Sequence, residues 1–228
     1  MNWGRAALRD LYAWAEERGI PEHDVKEHLR SSTAALRDRW NSWTEATLEF
    51  YMASGDLYMY DLTAWHGSGS IDDWFRRAKG WASELPPGAR VLDYGAGIGT
   101  YSLILAERAD IQVDALEISP ALRDYIQWRA GGKTNIRPVH LIDGPYNAII
   151  CIDTIEHLPA PEYFPVLAKA ALVPRGRLMA TWTFHKSDGM HPMHHGPDRL
   201  SSFLRELNRT FYGPLDDGWP AKFVAHDD

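Results

Sequence analysis

Three glycines, Gly95, Gly97 and Gly99, sit inside Val91-Leu92-Asp93-Tyr94-Gly95-Ala96-Gly97-Ile98-Gly99-Thr100. The run before them reads as a strand and the run after them as a helix, the context a nucleotide loop requires. Glycines let a backbone turn tightly and approach a ligand where a Cβ would clash. The start of a helix adds N–H donors that lack intrahelical partners. The spacing is Gly-x-Gly-x-Gly, which differs from the dinucleotide fingerprint, and no Gly-Lys-Ser/Thr follows, so the loop is not a P-loop. Asp93 at the strand end sits badly against a pyrophosphate and suits a cationic ammonium. Glu117 ends the next apolar run, where a carboxylate can accept both ribose hydroxyls. Downstream, Asp153, Glu156 and His157 follow a further apolar run and lie at the carboxyl edge of the expected sheet. Histidine there is a sensible general base, because its pKa lies near neutrality. Four more histidines, His185, His191, His194 and His195, crowd into eleven residues after the next strand. They can supply a base, a polar lid or ligands to a metal; we take His191 and His194 as further candidate bases and His185 as an acceptor contact, and assign no metal.

The elements that would position these groups change in texture at Pro86-Pro87-Gly88. Before that point the chain reads as successive helices. Leu8, Leu11, Tyr12 and Ala15 recur at the helical period, a second helix covers about 22–40, and Ser42-Trp43-Thr44-Glu45 reads as a capping box opening a third. A further start at 70–73 leads to a helix reaching Leu85. After Gly88, strands at 91–94, 111–116, 136–142, 148–152 and 177–184 alternate with helices at 100–109, 120–130, 161–172 and 197–208. A final hairpin joins 210–212 to 222–225. Alternation of this kind means crossover units and a mostly parallel sheet. The expected organisation is a helical N-terminal cap over residues 1–85 and an α/β domain over 86–228, a doubly wound fold.

A ligand with a ribose, an amino-acid head and no phosphate satisfies the loop, Asp93 and Glu117 together, and S-adenosylmethionine fits that description. Here the sequence resembles the class I S-adenosylmethionine-dependent methyltransferases. The likeness rests on Asp93 to Thr100, on Glu117, on Ile149-Ile150-Cys151-Ile152-Asp153-Thr154-Ile155-Glu156-His157-Leu158, and on Leu172-Val173-Pro174-Arg175-Gly176-Arg177-Leu178, and covers about residues 88–184. It implies a seven-stranded Rossmann-like sheet. It also implies that Asp93, Gly95, Gly97, Gly99 and Thr100 hold the methionine part, and that Glu117 and its neighbour Ile118 hold the ribose. Asp143 would meet the adenine amine, although it could equally cap its own loop, and Asp153 completes the cofactor set. Arg175 stands where the family commonly has glycine. Asp153, Glu156, His157 and a later histidine also resemble the metal-binding set of Hen1-like RNA 2′-O-methyltransferases, with Asp in place of the first Glu; that is the alternative reading, beside a non-catalytic cofactor-binding partner protein.

Methyl transfer from a sulfonium is an in-line displacement, so alignment and water exclusion matter most. The N-terminal aromatics Phe50-Tyr51, Tyr58, Tyr60 and Trp65-His66 are placed to close over the cofactor. Tyr58, Tyr60, Trp65 and Glu156 are therefore assigned to the acceptor pocket. The 228 residues carry 24 Lys and Arg against 31 Asp and Glu, a formal charge of −7. That balance argues against a broad nucleic-acid surface and favours a small-molecule acceptor, methylated on oxygen or nitrogen. One cysteine, Cys151, excludes a disulfide framework and a Cys-based zinc site. No apolar run approaches membrane-spanning length, and the N-terminus lacks a secretory h-region. The expected compartment is the cytoplasm, and the expected state is a monomer or a homodimer through the N-terminal helices. Ten Trp, ten Tyr and ten His are the unusual feature; seven of the Trp (3, 14, 40, 43, 65, 74 and 81) precede residue 90.

Overall fold

A computed structural model describes residues 2–45, 47–184 and 194–227. Five helices come first: α1 (Trp3–Glu17), α2 (Glu22–Asn41), α3 (Thr47–Ala53), α4 (Gly55–Gly67) and α5 (Asp72–Ser83). The α/β part follows as β1 (Arg90–Tyr94), α6 (Thr100–Leu105), β2 (Gln112–Leu116), α7 (Pro120–Ala130), β3 (Ile136–Val139), β4 (Tyr146–Cys151), α8 (Phe164–Ala171), β5 (Leu172–Ala180), α9 (Pro197–Thr210), β6 (Phe211–Tyr212) and β7 (Ala221–Ala225). The seven strands form one sheet in the order β3-β2-β1-β4-β5-β7-β6. The first five strands are parallel; β7 runs antiparallel to β5, and β6 antiparallel to β7. This is the doubly wound, mostly parallel sheet expected from the alternation. Ala148, Ile149, Ile150 and Cys151 of β4 are all fully buried, as a central strand covered on both faces must be. Among the described residues no helix is long and apolar enough to cross a membrane.

Helix packing sets where the site opens. On α1, Ala7, Leu11 and Ala15 make an apolar stripe that meets Met59 of α4, Ile98 of the glycine loop and Leu122 and Tyr125 of α7. The buried Arg129 guanidinium ties this layer to the loop: it bonds Asp10 of α1, the Ile98 carbonyl and Thr100 Oγ1. On α5, Phe75, Ala78 and Trp81 share a cluster with Val91, Ile104 and Ile111. On the other face, Phe164, Phe203 and Leu207 of α8 and α9 cover Leu92, Ile149 and Leu178.

Several local expectations are corrected. Ser42 is not the start of a capping box; its hydroxyl donates to the Asp38 and Arg39 carbonyls and closes the C-terminus of α2. Helix α6 stops at Leu105 rather than 109, and Arg108 turns back to bond the Ala82 and Leu85 carbonyls. Strand β3 ends at Val139 rather than 142, leaving Leu141 exposed. Strand β5 begins at Leu172, whose pairing with Tyr146 precedes a register shift in β4. Arg175 adopts φ +57°, which accounts for a glycine being favoured there.

Candidate active site

The glycine loop lies between β1 and α6, at the carboxyl edge of the sheet. The N–H groups of Gly95 and Ala96 both donate to the Leu116 carbonyl at 2.9 Å, which fixes the loop against the end of β2. Gly95 has φ +74°, and a Cβ there would fall 2.4 Å from the Thr154 side chain, so only glycine fits. Gly97 has φ +55° and turns its N–H onto Glu117. Glu117 accepts from Gly97 N at 2.9 Å on one oxygen and from Ser119 N at 2.8 Å on the other. Burial raises its carboxyl pKa, opposed by these backbone donors.

Beneath the loop, Asp93 is buried and its Oδ2 accepts from Ser102 Oγ at 2.6 Å. Burial raises it to about 7, with Ser102 pulling the other way. Asp153 follows β4 in a left-handed conformation, φ +46°. Its backbone N–H donates to Thr181 Oγ1 at 2.7 Å, and that hydroxyl lies 3.1 Å from Asp153 Oδ1. Burial raises Asp153 to about 6. The Tyr101 hydroxyl, one residue into α6, is buried without a hydrogen-bond partner among the described residues. It lies within electrostatic reach of both Asp153 and Asp93.

Gly95, Gly97, Tyr101, Glu117 and Asp153 border a cavity of about 380 Å³. Its floor is the loop, Glu117, Ile118 and Tyr101; one wall is Asp153, Thr154 and His157; the roof is Leu48 and Tyr51 of α3 with Tyr58, Leu62, Trp65 and His66 of α4. The roof thus comes from the N-terminal helices. Tyr51 and Tyr58 stack with ring centroids 5.5 Å apart. The Tyr51 hydroxyl reaches His157 Nδ1 at 2.6 Å, and His157 Nε2 lies 3.2 Å from His194 Nε2. His66 is buried, with Nδ1 2.9 Å from Thr100 Oγ1. Burial and the Arg129 charge lower it to about 3, so it is neutral at physiological pH.

The structure brings Gly95, Gly97, Glu117, Ile118, Asp153, Tyr58, Trp65 and His157 to one cavity. Asp93 and Gly99 stand just behind the loop, and Thr100 is occupied by His66 and Arg129. Three expected contacts lie elsewhere. Tyr60 faces the α1–α4 core and packs on His28 at 4.8 Å. Glu156 is 1% exposed behind the wall, with Oε2 unpartnered among the described residues. Asp143 is exposed and paired with Arg137 and Arg90, because the early end of β3 releases it toward those guanidinium groups. His185 and His191 lie outside the described residues. The sequence motifs do not mark Tyr101 or Thr154 as site residues, and mark Tyr51 only as one ring of an aromatic stretch. Tyr101 carried a signal: a hydroxyl on the first turn after a glycine loop.

A family described as a methyltransferase domain matches residues 64–213, and the chain belongs to it. A curated relative, the ubiquinone biosynthesis O-methyltransferase of Xanthomonas axonopodis pv. citri (strain 306), is 31% identical over 102 residues, 41% of this chain and 42% of that protein. The chain therefore spans less than half the length of that relative. Among solved structures, the N-methyltransferase NodS from Bradyrhizobium japonicum WM9, in complex with S-adenosyl-L-homocysteine, aligns with a TM-score of 0.56 at 11% identity, covering 78% of this chain and 96% of NodS. The cyclopropane synthase MmaA2 from Mycobacterium tuberculosis aligns with a TM-score of 0.52 at 18% identity, covering 61% and 60%. The fold is that of the class I, Rossmann-like methyltransferases, whose methyl donor is S-adenosylmethionine.

Proposed function

We propose that this chain transfers a methyl group from S-adenosylmethionine to an oxygen or nitrogen of a small-molecule acceptor. One observation carries the reading: a single cavity joins Glu117 and the glycine loop to Tyr51, Tyr58, Trp65 and His157. Its volume of about 380 Å³ lies in the range of small-ligand sites.

The residues fit the cofactor. Each Glu117 oxygen accepts one backbone N–H and keeps a lone pair for a ribose hydroxyl. Asp93 and Asp153, both raised by burial, present carboxyls that a cationic ammonium would relieve, since an opposite charge favours their ionised forms. The Tyr101 hydroxyl, without a partner among the described residues, supplies a polar contact beside them. Leu116, Ile118 and Leu122 offer the adenine an apolar slot, and with Asp143 elsewhere the exocyclic amine would rely on backbone or solvent. The cofactor supplies an electrophilic methyl group on a sulfonium. The chain's part is to hold the acceptor in line under the aromatic roof, to exclude water, and to take up the acceptor's proton at His157.

Titration calorimetry with S-adenosylmethionine and S-adenosylhomocysteine tests the first half; micromolar 1:1 binding is expected, and no heat at millimolar ligand would sink the reading. A panel of small phenols, catechols and amines, scored by donor consumption, tests the second. The formal charge of −7 supports a small acceptor over RNA.

A further inference from the structure

Three side chains from three distant segments meet at the cavity wall: Tyr51 on α3, His157 after β4, and His194 ahead of α9. The Tyr51 hydroxyl lies 2.6 Å from His157 Nδ1. A protonated phenol donates to Nδ1, and neutral His157 then carries its proton on Nε2. The Nε2–Nε2 separation of 3.2 Å is that of an N–H···N bond, so His157 donates and His194 accepts, carrying its own proton on Nδ1. Each tautomer follows from the one before it. Burial holds the Tyr51 phenol well above its usual range, so it keeps its proton until a neighbour takes it.

We propose that Tyr51, His157 and His194 form a directed proton relay that carries the acceptor's proton out of the methyl-transfer cavity. The proposal rests on the methyltransferase reading given above. As the acceptor's bond to the methyl carbon forms, the methyl–sulfur bond breaks to release S-adenosylhomocysteine, the acceptor's O–H or N–H bond breaks, and its proton passes to the Tyr51 oxygen. The Tyr51 proton moves to His157 Nδ1, and the His157 Nε2 proton moves to His194 Nε2. One proton enters and the charge ends on His194, which is half-buried at the rim. Tyr58, stacked on Tyr51, keeps the phenol in line. The ionised Asp153 carboxyl on the same wall favours a cationic imidazole. Passing its Nε2 proton on to His194 lets His157 act with both ring nitrogens engaged.

The test is long-range 1H–15N NMR of the intact, 15N-histidine-labelled chain. The relay predicts neutral His157 protonated on Nε2 and neutral His194 protonated on Nδ1. Tyr51→Phe should mix the His157 tautomers and slow single-turnover methyl transfer by roughly 100-fold, the low end for loss of general-base catalysis. His195→Asn, whose ring bonds the Leu158 carbonyl instead, should leave both signals in place. A proton on His157 Nδ1 would overturn the relay. So would equimolar Zn²⁺ moving both Nε2 signals at micromolar affinity, since the pair would then be metal ligands. Absence of S-adenosylhomocysteine binding in the wild type would overturn the methyl-transfer reading itself; binding with the wrong tautomers overturns the relay alone.

Discussion

Replacing Glu117 with Gln keeps shape and removes one acceptor. The carboxylate takes Gly97 N–H on one oxygen and Ser119 N–H on the other, at 2.9 and 2.8 Å. A carboxamide can satisfy only one of these and turns its NH₂ toward the other donor. A hydrogen bond to a charged group contributes about 1.5–3 kcal/mol. In a protein of this size each kcal/mol moves Tm by roughly 2–4 °C, so the expected drop is roughly 3–12 °C. The buried carboxylate is itself penalised by desolvation, and its neutral replacement escapes that cost, which places the drop near the lower end. The ribose contact loses one charged acceptor by the same reasoning. About 1.5–3 kcal/mol corresponds to roughly 10- to 150-fold weaker S-adenosylhomocysteine binding. Titration calorimetry measures the second effect and scanning fluorimetry the first. Glu117→Gln binding within threefold of wild type would refute the placement of the ribose on Glu117.

Other consequences are equally direct. Gly95→Ala must relieve a φ of +74° and a 2.4 Å approach to Thr154; strain and overpacking together cost about 2–5 kcal/mol, and cofactor binding in calorimetry should fall with Tm. Asp10→Ala strands the Arg129 guanidinium, 1% exposed at its side chain, and should destabilise by about 3 kcal/mol in urea unfolding. Burial raises Asp153 to about 6, Asp93 to about 7 and Glu156 to about 8, against unfolded values near 4. The folded chain then binds more protons than the unfolded chain in this window, so stability should fall as pH rises from about 5 to about 8. Glu156→Gln should remove the upper part of that fall in Tm-versus-pH scans; an unchanged profile would contradict the assignment to Glu156.

How legible all this was in the sequence varied with range. Asp93, the glycines and Glu117 were readable because a strand, a tight turn and a helix impose local chemistry on neighbouring residues. Central strands were readable from unbroken apolar runs such as Ala148 to Cys151, all fully buried. Edges were not: β3 ends at Val139 and leaves Asp143 to pair with Arg90 and Arg137, a pairing across strands that spacing does not show. The Ser42 capping box failed because the same residues can close one helix or open the next, and tertiary packing chose the former. The roof was half legible. The aromatic surplus pointed to α3 and α4, yet which rings face inward depends on helix rotation, so Tyr58 and Trp65 reach the cavity while Tyr60 turns to His28. The contact between Tyr51 and His157 spans 106 positions and had no sequence signature.

A crystal structure with S-adenosylhomocysteine bound tests the central claim most directly. The account predicts the ribose hydroxyls on Glu117, the amino-acid head beside Asp93, Tyr101 and Asp153, and the sulfur facing the space under Tyr51, Tyr58 and Trp65. A ligand seated outside this cavity, or with its ribose away from Glu117, would contradict it.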